Sequence, residues 1–258
     1  MQLTFYKYHG TGNDFIMVDN RNGQFPKNDF KLISSLCERH TGIGADGLIL
    51  LEEDPESDFK MVYFNADGQE GTMCGNGGRC VVAFARKLGL IDQNTIFSAT
   101  DGLHEADIVG DEVRLKMQDI ETIREKPDYL FLDTGSPHHV QIVNDLQTFD
   151  VEKEGRRLRY GLYGKSGSNI NFVEVTDDNS FAVRTYERGV ENETLSCGTG
   201  VTAVALSMHH LGNTRAREVV VATPGGQLVV SFGHKNGRYI DIFLKGPVKE
   251  VYKGQMEW

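Results

Sequence analysis

The chain has 258 residues, 39% of them hydrophobic and 25% charged, with a formal net charge of −10. No Lys/Arg run interrupts that acidic balance, which excludes a nucleic-acid or anionic-membrane surface because phosphate binding needs a basic patch. No apolar run approaches the ~20 residues of a membrane span, and "MQLTFYKYHGTG" at the start lacks a charged segment followed by an apolar one. No signal peptide is therefore expected, and the cytoplasm is the expected location.

In chain order, "FIMVDN" (15–20) reads as a strand and "NDFKLISSLCERH" (28–40) as an amphipathic helix. "GLILLEE" and "FKMVYFN" are strands, rich in β-branched and aromatic residues between Gly, Asn and Asp. "MCGNGGRCVVAFARKLG" (73–89) opens on glycines, continues at helical spacing and stops at a glycine suited to a left-handed C-terminal position. After the strand "EVRLKM", the charged, Pro127-containing "DIETIREKPDY" (119–129) reads as a connector. The strands "YLFLDT", "HVQIVN", "INFVEVT" and "FAVRTYE" follow. A second Gly-rich helix, "SCGTGVTAVALSMHHLG" (196–212), precedes "EVVVAT", "QLVVSF" and "YIDIFLK". Late in that helix, His209 and His210 read as favourable charges near its C-terminus.

Cys197 lies 123 residues after Cys74, and the same shift carries Gly75, Gly77 and Gly89 onto Gly198, Gly200 and Gly212. It also carries Thr11-Gly12-Asn13 onto Thr134-Gly135-Ser136, Gly44 onto Gly167, and Tyr63 onto Tyr186. The chain therefore reads as a duplication. The expected class is α+β: two homologous, mainly β domains, each wrapped around a central helix and related by a pseudo-twofold. Residues 1–118 form the first domain and 119–247 the second; the tail 248–258 has no counterpart and is expected to pack back onto the first.

Of four cysteines, Cys37 and Cys80 sit on apolar helical faces and read as small buried hydrophobes. The spacing offers no zinc site, so no metal is expected. Cys74 and Cys197 stand at helix starts among glycines. The field of the first turn stabilises a thiolate there, and its unpaired N–H groups can hold a carboxylate. Two such tips facing one cleft between the domains suit inversion of a stereocentre. One group removes a proton from one face of a carbon, and the other returns a proton to the opposite face. "GIGADG" (42–47) matches a dinucleotide-loop pattern but follows a helix and precedes a strand, the reverse of what that loop needs. "GLYGKSG" lacks the first glycine of a P-loop, since Arg159 stands there. No pyridoxal phosphate site is readable, and no cofactor is expected.

"FNADGQEGTMCGNGGRC", "HGTGNDF", "RHTGIGADG", "GSPH" and "YERGVENETLSCGTG" together resemble the diaminopimelate epimerases, in the family's order and over essentially the whole chain. The resemblance implies a cofactor-independent isomerase that interconverts LL- and meso-2,6-diaminopimelate, feeding lysine synthesis and peptidoglycan precursors, and a homodimer. It implies that Cys74 and Cys197 are the acid/base cysteines, with His138 and Glu187 helping to set their protonation. Gly75, Asn76, Gly198 and Thr199 would lie around the reacting carboxylate. Asn13, Asn65, Asn169, Glu187 and Arg188 would bind substrate, with Arg188 suited to the distal carboxylate. Tyr252 matches a family position associated with dimer contact. Gly47 departs from the Gln of many members, Ser136 from Asn and Gln69 from Ser. Each of the first two puts one side-chain contact in question, whereas the third is expected to matter little. A proline racemase or hydroxyproline epimerase is the nearest rival enzyme, and a non-catalytic amino-acid-binding protein the rival from another class.

Overall fold

Gln2–Gly10 alternates buried and partly exposed side chains, the pattern of a strand with one face on a core (β1). It turns at Thr11 and Gly12, both with positive φ, into Asn13–Asp19 (β2). Phe30–Cys37 (α1), Gly47–Glu52 (β3), Lys60–Asn65 (β4) and Gly75–Lys87 (α2) follow, then Asn94–Ala99 (β5), Gly102–Val109 (β6) and Glu112–Lys116 (β7). The second half contains Arg124–Glu125 (β8), Leu130–Asp133 (β9), Pro137–Ile142 (β10), Val151–Gly161 (α3), Asn169–Asp177 (β11), Ser180–Glu187 (β12) and Asn192–Thr194 (β13). It continues through Gly198–His210 (α4), Glu218–Thr223 (β14), Gly226–Lys235 (β15) and Arg238–Pro247 (β16), and the chain's last strand is Lys249–Glu257 (β17). The structure is a computed structural model and describes residues 2–71 and 73–257. The chain forms two compact units: one runs up to Leu115 and resumes at Gly246, and the other is Lys116–Lys245.

Within the first unit, β1 pairs antiparallel with β2, β2 parallel with β3, and β3 antiparallel with β4. β4 meets β5 in parallel, and β5, β6 and β7 form an antiparallel meander. The second unit repeats this scheme with β9, β10, β11, β12, β14, β15 and β16 in the same roles. Parallel neighbours cannot be joined by a tight hairpin and need a crossover. Here α1 and α2 supply the crossovers in one unit, and α3 and α4 in the other. Even the first strand's extra antiparallel neighbour recurs: β17 beside β1, β8 beside β9. Each unit is thus a mainly β domain built on one central helix, α2 or α4.

Those helices are buried because small residues let the strands come close. A Cβ on Gly77 would lie 3.0 Å from Ile49 Cδ1 and 3.2 Å from Met61 Cε, so α2 rests directly on β3 and β4. On α4, a Cβ at Gly200 would lie 2.5 Å from Oδ1 of Asn171 on β11, and no side chain fits there. Val201 and the residues from Ala203 to Leu206 are almost wholly buried. Neither helix end needs a special stop: Gly89 and Gly212 take the positive φ expected after Leu88 and Leu211.

Three features differ from the sequence reading. The helix expected over 28–40 ends at Cys37, where Glu38 turns to extended backbone and Ile43 and Gly44 take up the carbonyl of Leu36. The stretch 119–129 is more than a connector. Ile120 bridges Tyr239 through two backbone hydrogen bonds, and Arg124–Glu125 pairs with β9. Helix α3 was not expected, since its buried stripe is only Val151, Gly155, Leu158 and Arg159 among charged residues. Gly155 admits it to the core, because a Cβ there would lie 2.4 Å from Tyr186 Cβ. The tail, expected to pack back onto the first domain, forms β17 and pairs with β1 from Gln2 to His9 within the first unit.

Candidate active site

Cys74 and Cys197 occupy the same structural position in their units. Each is the N-cap residue of a 13-residue helix, with extended backbone and no side-chain cap hydrogen bond. The first-turn N–H groups of α2 and α4 are therefore not satisfied by their own cap side chain. Cys74 is half-buried and Cys197 buried. Cys37 and Cys80 behave otherwise, since burial raises Cys37 to about 12 and Cys80 higher still. Both remain thiols at neutral pH, in keeping with their reading as small hydrophobes.

In the first unit three expected residues meet. Sγ of Cys74 lies 3.6 Å from Oδ1 of Asn13, and Nδ2 of Asn76 donates to the same oxygen at 3.2 Å. Two neighbours were not read from the sequence. Asp46 accepts from Asn13 Nδ2 at 2.7 Å, and the fully buried Arg79 donates from Nη2 to Asn76 Oδ1 at 2.9 Å. Arg79 also reaches the Gly75 carbonyl and the Thr11 hydroxyl, while its Nε makes no hydrogen bond. Gly10 makes room for it, because a Cβ there would stand 3.1 Å from Nη2. Asp46 is itself held by Arg39, which also binds Asp14. Lys7 pairs with Asp14 at 2.7 Å and donates to the Gly44 carbonyl. Burial works against Asp14's ionisation, but hydrogen bonds from Arg39 and Lys7 outweigh it and draw its carboxyl down to about 2. Asn65 stands apart, exposed at the end of β4, with Nδ2 3.5 Å from the Gln69 carbonyl.

Gly47 has a clear steric reason. A Cβ there would lie 2.5 Å from both the Phe64 carbonyl oxygen and the ring of Tyr63, and a Cβ at Gly71 would lie 2.8 Å from that ring. Tyr63 fills the space that a longer residue at position 47 would need.

In the second unit His138, Ser136, Asn169, Thr199 and Cys197 form one cluster. Nε2 of His138 lies 2.9 Å from Thr199 Oγ1 and 3.0 Å from Ser136 Oγ; Thr199 Oγ1 lies 3.4 Å from Cys197 Sγ. Nδ2 of Asn169 donates to Ser136 Oγ at 3.1 Å, and its Oδ1 accepts the backbone N–H of Arg188 at 2.8 Å. Ser136 therefore keeps a polar contact at this position through its hydroxyl. Asn171, also not read from the sequence, lies behind His138 with Nδ2 3.1 Å from Nδ1. Burial, with the charge of Arg188, draws His138 down to about 3, so the ring is neutral at pH 7. Glu187 accepts from the Thr194 hydroxyl at 2.9 Å, and exposed Arg188 donates to the Ser166 carbonyl at 3.0 Å.

Two expectations concern residues outside these clusters. His209 is not a helix-end charge: burial and Arg217 lower it to about 4, and Nε2 lies 2.6 Å from Nη1 of Arg217, so the neutral ring accepts. Tyr252 is 43% exposed on β17, with its ring edge-on to Phe5. Among the described residues no cluster of His, Cys, Asp and Glu could hold a metal ion, and no helix is long and apolar enough to cross a membrane.

The fold defines the class first. The chain superposes on a phenazine biosynthesis protein of the PhzF family from Bacillus anthracis with a TM-score of 0.80 over 100% of both chains, at 13% identity. It also superposes on a probable proline racemase from Agrobacterium radiobacter with a TM-score of 0.72, at 16% identity, covering 99% of this chain and 93% of the other. These likenesses show a shared two-domain fold. The sequence then places the chain within that class: the profile of the family described as diaminopimelate epimerase matches residues 5–122 and 130–251. The diaminopimelate epimerase of Flavobacterium psychrophilum is 55% identical over 253 residues, 97% of this chain and 99% of that protein. That of Chlorobaculum tepidum is 44% identical over 256 residues, 95% of this chain and 98% of that protein. The chain belongs to the diaminopimelate epimerase family.

Proposed function

We propose that this chain is an isomerase that interconverts LL- and meso-2,6-diaminopimelate by two-base proton transfer at one α-carbon, with Cys74 and Cys197 as a thiolate/thiol pair. The observation that carries this reading is the repetition of a cysteine-capped, glycine-opened helix in the same structural position of both units. One cysteine, as thiolate, removes the α-proton. The other, as thiol, delivers a proton to the opposite face. Negative charge develops on the α-carboxylate meanwhile, and the first-turn N–H groups of α2 and α4, around Gly75, Asn76, Gly198 and Thr199, stabilise it. Asn13 and Asn169 orient the substrate beside the thiols, and Asn65 and Arg188 bind its distal end. His138, with Glu187, sets the protonation of the thiols. No cofactor is required. The enzyme acts in the cytoplasm as a homodimer with Tyr252 at the contact, and its product serves lysine and peptidoglycan-precursor synthesis.

The proline racemase reading rests on fold alone at 16% identity, against 55% over nearly the whole chain for a diaminopimelate epimerase. A coupled assay with LL-diaminopimelate as sole substrate tests the proposal. Formation of the meso isomer is expected; turnover of proline but not of LL-diaminopimelate would refute it.

A further inference from the structure

Each half-site contains a chain of hydrogen bonds anchored by a group that can play only one role, which orients the amides and the imidazole along it. In the first unit the anchors are Asp46 and Arg79. The Asp46 carboxylate only accepts, so the atom 2.7 Å away on Asn13 is its NH2, and Asn13 must turn Oδ1 toward Cys74. Arg79 only donates, so Asn76 gives it Oδ1 at 2.9 Å and sends its own NH2 to that same Asn13 oxygen at 3.2 Å. Both amide orientations are thereby determined, and the atom presented to Cys74 is an acceptor. A thiol can donate to it, whereas a thiolate would be repelled.

In the second unit the anchor is a backbone carbonyl. Nδ2 of Asn171 lies 2.8 Å from the His139 oxygen, an obligate acceptor, and Thr185 donates to Asn171 Oδ1 at 3.0 Å. The remaining N–H of Asn171 points to His138 Nδ1 at 3.1 Å, so Nδ1 of the neutral ring accepts and Nε2 carries the proton. Nε2–H then faces two hydroxyls, Thr199 Oγ1 at 2.9 Å and Ser136 Oγ at 3.0 Å. Because Ser136 Oγ also accepts from Asn169 Nδ2 at 3.1 Å, its lone pairs are taken, and the Thr199 O–H is directed to Cys197 Sγ at 3.4 Å rather than to Ser136 at 3.3 Å. Here the atom presented to the sulfur is a donor, which favours a thiolate.

We propose that Asp46 and Asn171 are positioning residues that give the resting enzyme a defined asymmetry, with Cys197 as the thiolate and Cys74 as the thiol. The inference rests on the reading of Cys74 and Cys197 as one proton-sharing pair. Arg79 is the chief opposing charge: a cation in the turn after Cys74, where the equivalent residue of α4 is Thr202. Its N–H groups at Nη1 and Nη2 are directed to Gly75, Asn76 and Thr11 rather than to the sulfur, so it lowers the cost of a Cys74 thiolate in the reverse half-reaction without making that the resting state. Around Cys74 the other ionisable groups include Cys80, Asp46 through Asn13, Asp101 at the Met73 backbone, and Glu112, which interacts with Arg79. Around Cys197 they include His138 and, beyond it, Arg188.

The test is alkylation of substrate-free enzyme with iodoacetamide from about pH 5 to 9, with the rate at each cysteine read from its own peptide by mass spectrometry. The midpoint of each rate–pH curve, unlike the rate itself, does not depend on exposure. The midpoint for Cys197 should lie at least about one unit below that for Cys74, corresponding to about a tenfold difference in thiolate fraction. Asp46→Asn, which lets the Asn13 amide turn its NH2 to the sulfur, should lower the Cys74 midpoint. Asn171→Leu should raise that of Cys197. A Cys74 midpoint at or below that of Cys197 in the wild-type protein would overturn the assignment, and this arm needs no variant to fold. Turnover of LL-diaminopimelate by the same preparation separates the two claims. Turnover with the reversed order defeats this inference alone; the expected order without turnover defeats the functional proposal alone.

Discussion

The hydroxyl of Thr199 lies 2.9 Å from Nε2 of His138, a ring without solvent exposure, and 3.4 Å from Cys197 Sγ, so one hydroxyl stands between the imidazole and the sulfur. Thr199→Val removes that link and keeps the shape. It should lower kcat for epimerisation by about 10- to 100-fold, the effect of about 1.4–2.7 kcal/mol, and raise the acidic limb of the kcat/KM profile. Thr199→Ser should recover most of the activity. Equal pH profiles for wild type and Thr199→Val would show that the hydroxyl is only structural.

Acid should unfold the protein before its carboxylates titrate. Burial lowers His138 to about 3 and His139 to about 4, and burial with Arg217 lowers His209 to about 4. The unfolded chain binds these protons near pH 6.5, so between that value and about 3 to 4 it holds more protons than the native state, and stability falls as pH falls. Asp14, drawn down to about 2, adds a second loss that begins near pH 4 and is complete below 2. Urea midpoints that do not change between pH 7 and 5 would contradict the histidine assignment.

Gly47 should not tolerate enlargement. A Cβ meets the Phe64 carbonyl and the Tyr63 ring at 2.5 Å, and the backbone oxygen cannot move aside. Gly47→Ala should cost about 1–3 kcal/mol by overpacking. Gly47→Gln should be recovered in part only when Tyr63 is also made small. Thermal melts of the single and double variants measure this, and an unchanged melting temperature for Gly47→Ala would contradict it.

If Arg188 binds the distal carboxylate, lysine should be a poor substrate, because it leaves a guanidinium without its partner at a cost of about 1–3 kcal/mol. The kcat/KM for lysine should fall at least tenfold below that for LL-diaminopimelate, and Arg188→Ala should narrow the gap. Equal values for the two substrates in the wild-type enzyme would rule out this role.

The duplication was legible in the sequence because glycines and cysteines at turns and helix tips keep their spacing in both halves. So were most strands and the two central helices, whose periodicity is strong. What escaped has a common cause. Helix α3 buries only a narrow stripe, and its place depends on Gly155 meeting Tyr186, a contact with β12. β8 and β17 are defined by their partners β9 and β1 more than by their own apolar residues. In the site, Asp46 and Arg79 lie inside the quoted motifs and Asn171 in a strand, but their hydrogen bonds to Asn13, Asn76 and His138 depend on tertiary contacts that the local sequence does not show. His209 was read as a charge from its place in the helix, but burial and the neighbouring Arg217 keep it neutral.

Early-time isotope analysis in heavy water bears most directly on the two-thiol mechanism. A thiol carries one proton, so the proton taken from substrate stays on the receiving sulfur while the other sulfur delivers one already exchanged with solvent. The stereoisomer formed in the first turnovers should carry deuterium at the inverted centre, while unreacted substrate is still protiated there. Cys74→Ala and Cys197→Ala should each abolish inversion. Product that keeps its original α-proton, or a Cys197→Ala enzyme with near-normal inversion, would contradict the two-thiol mechanism.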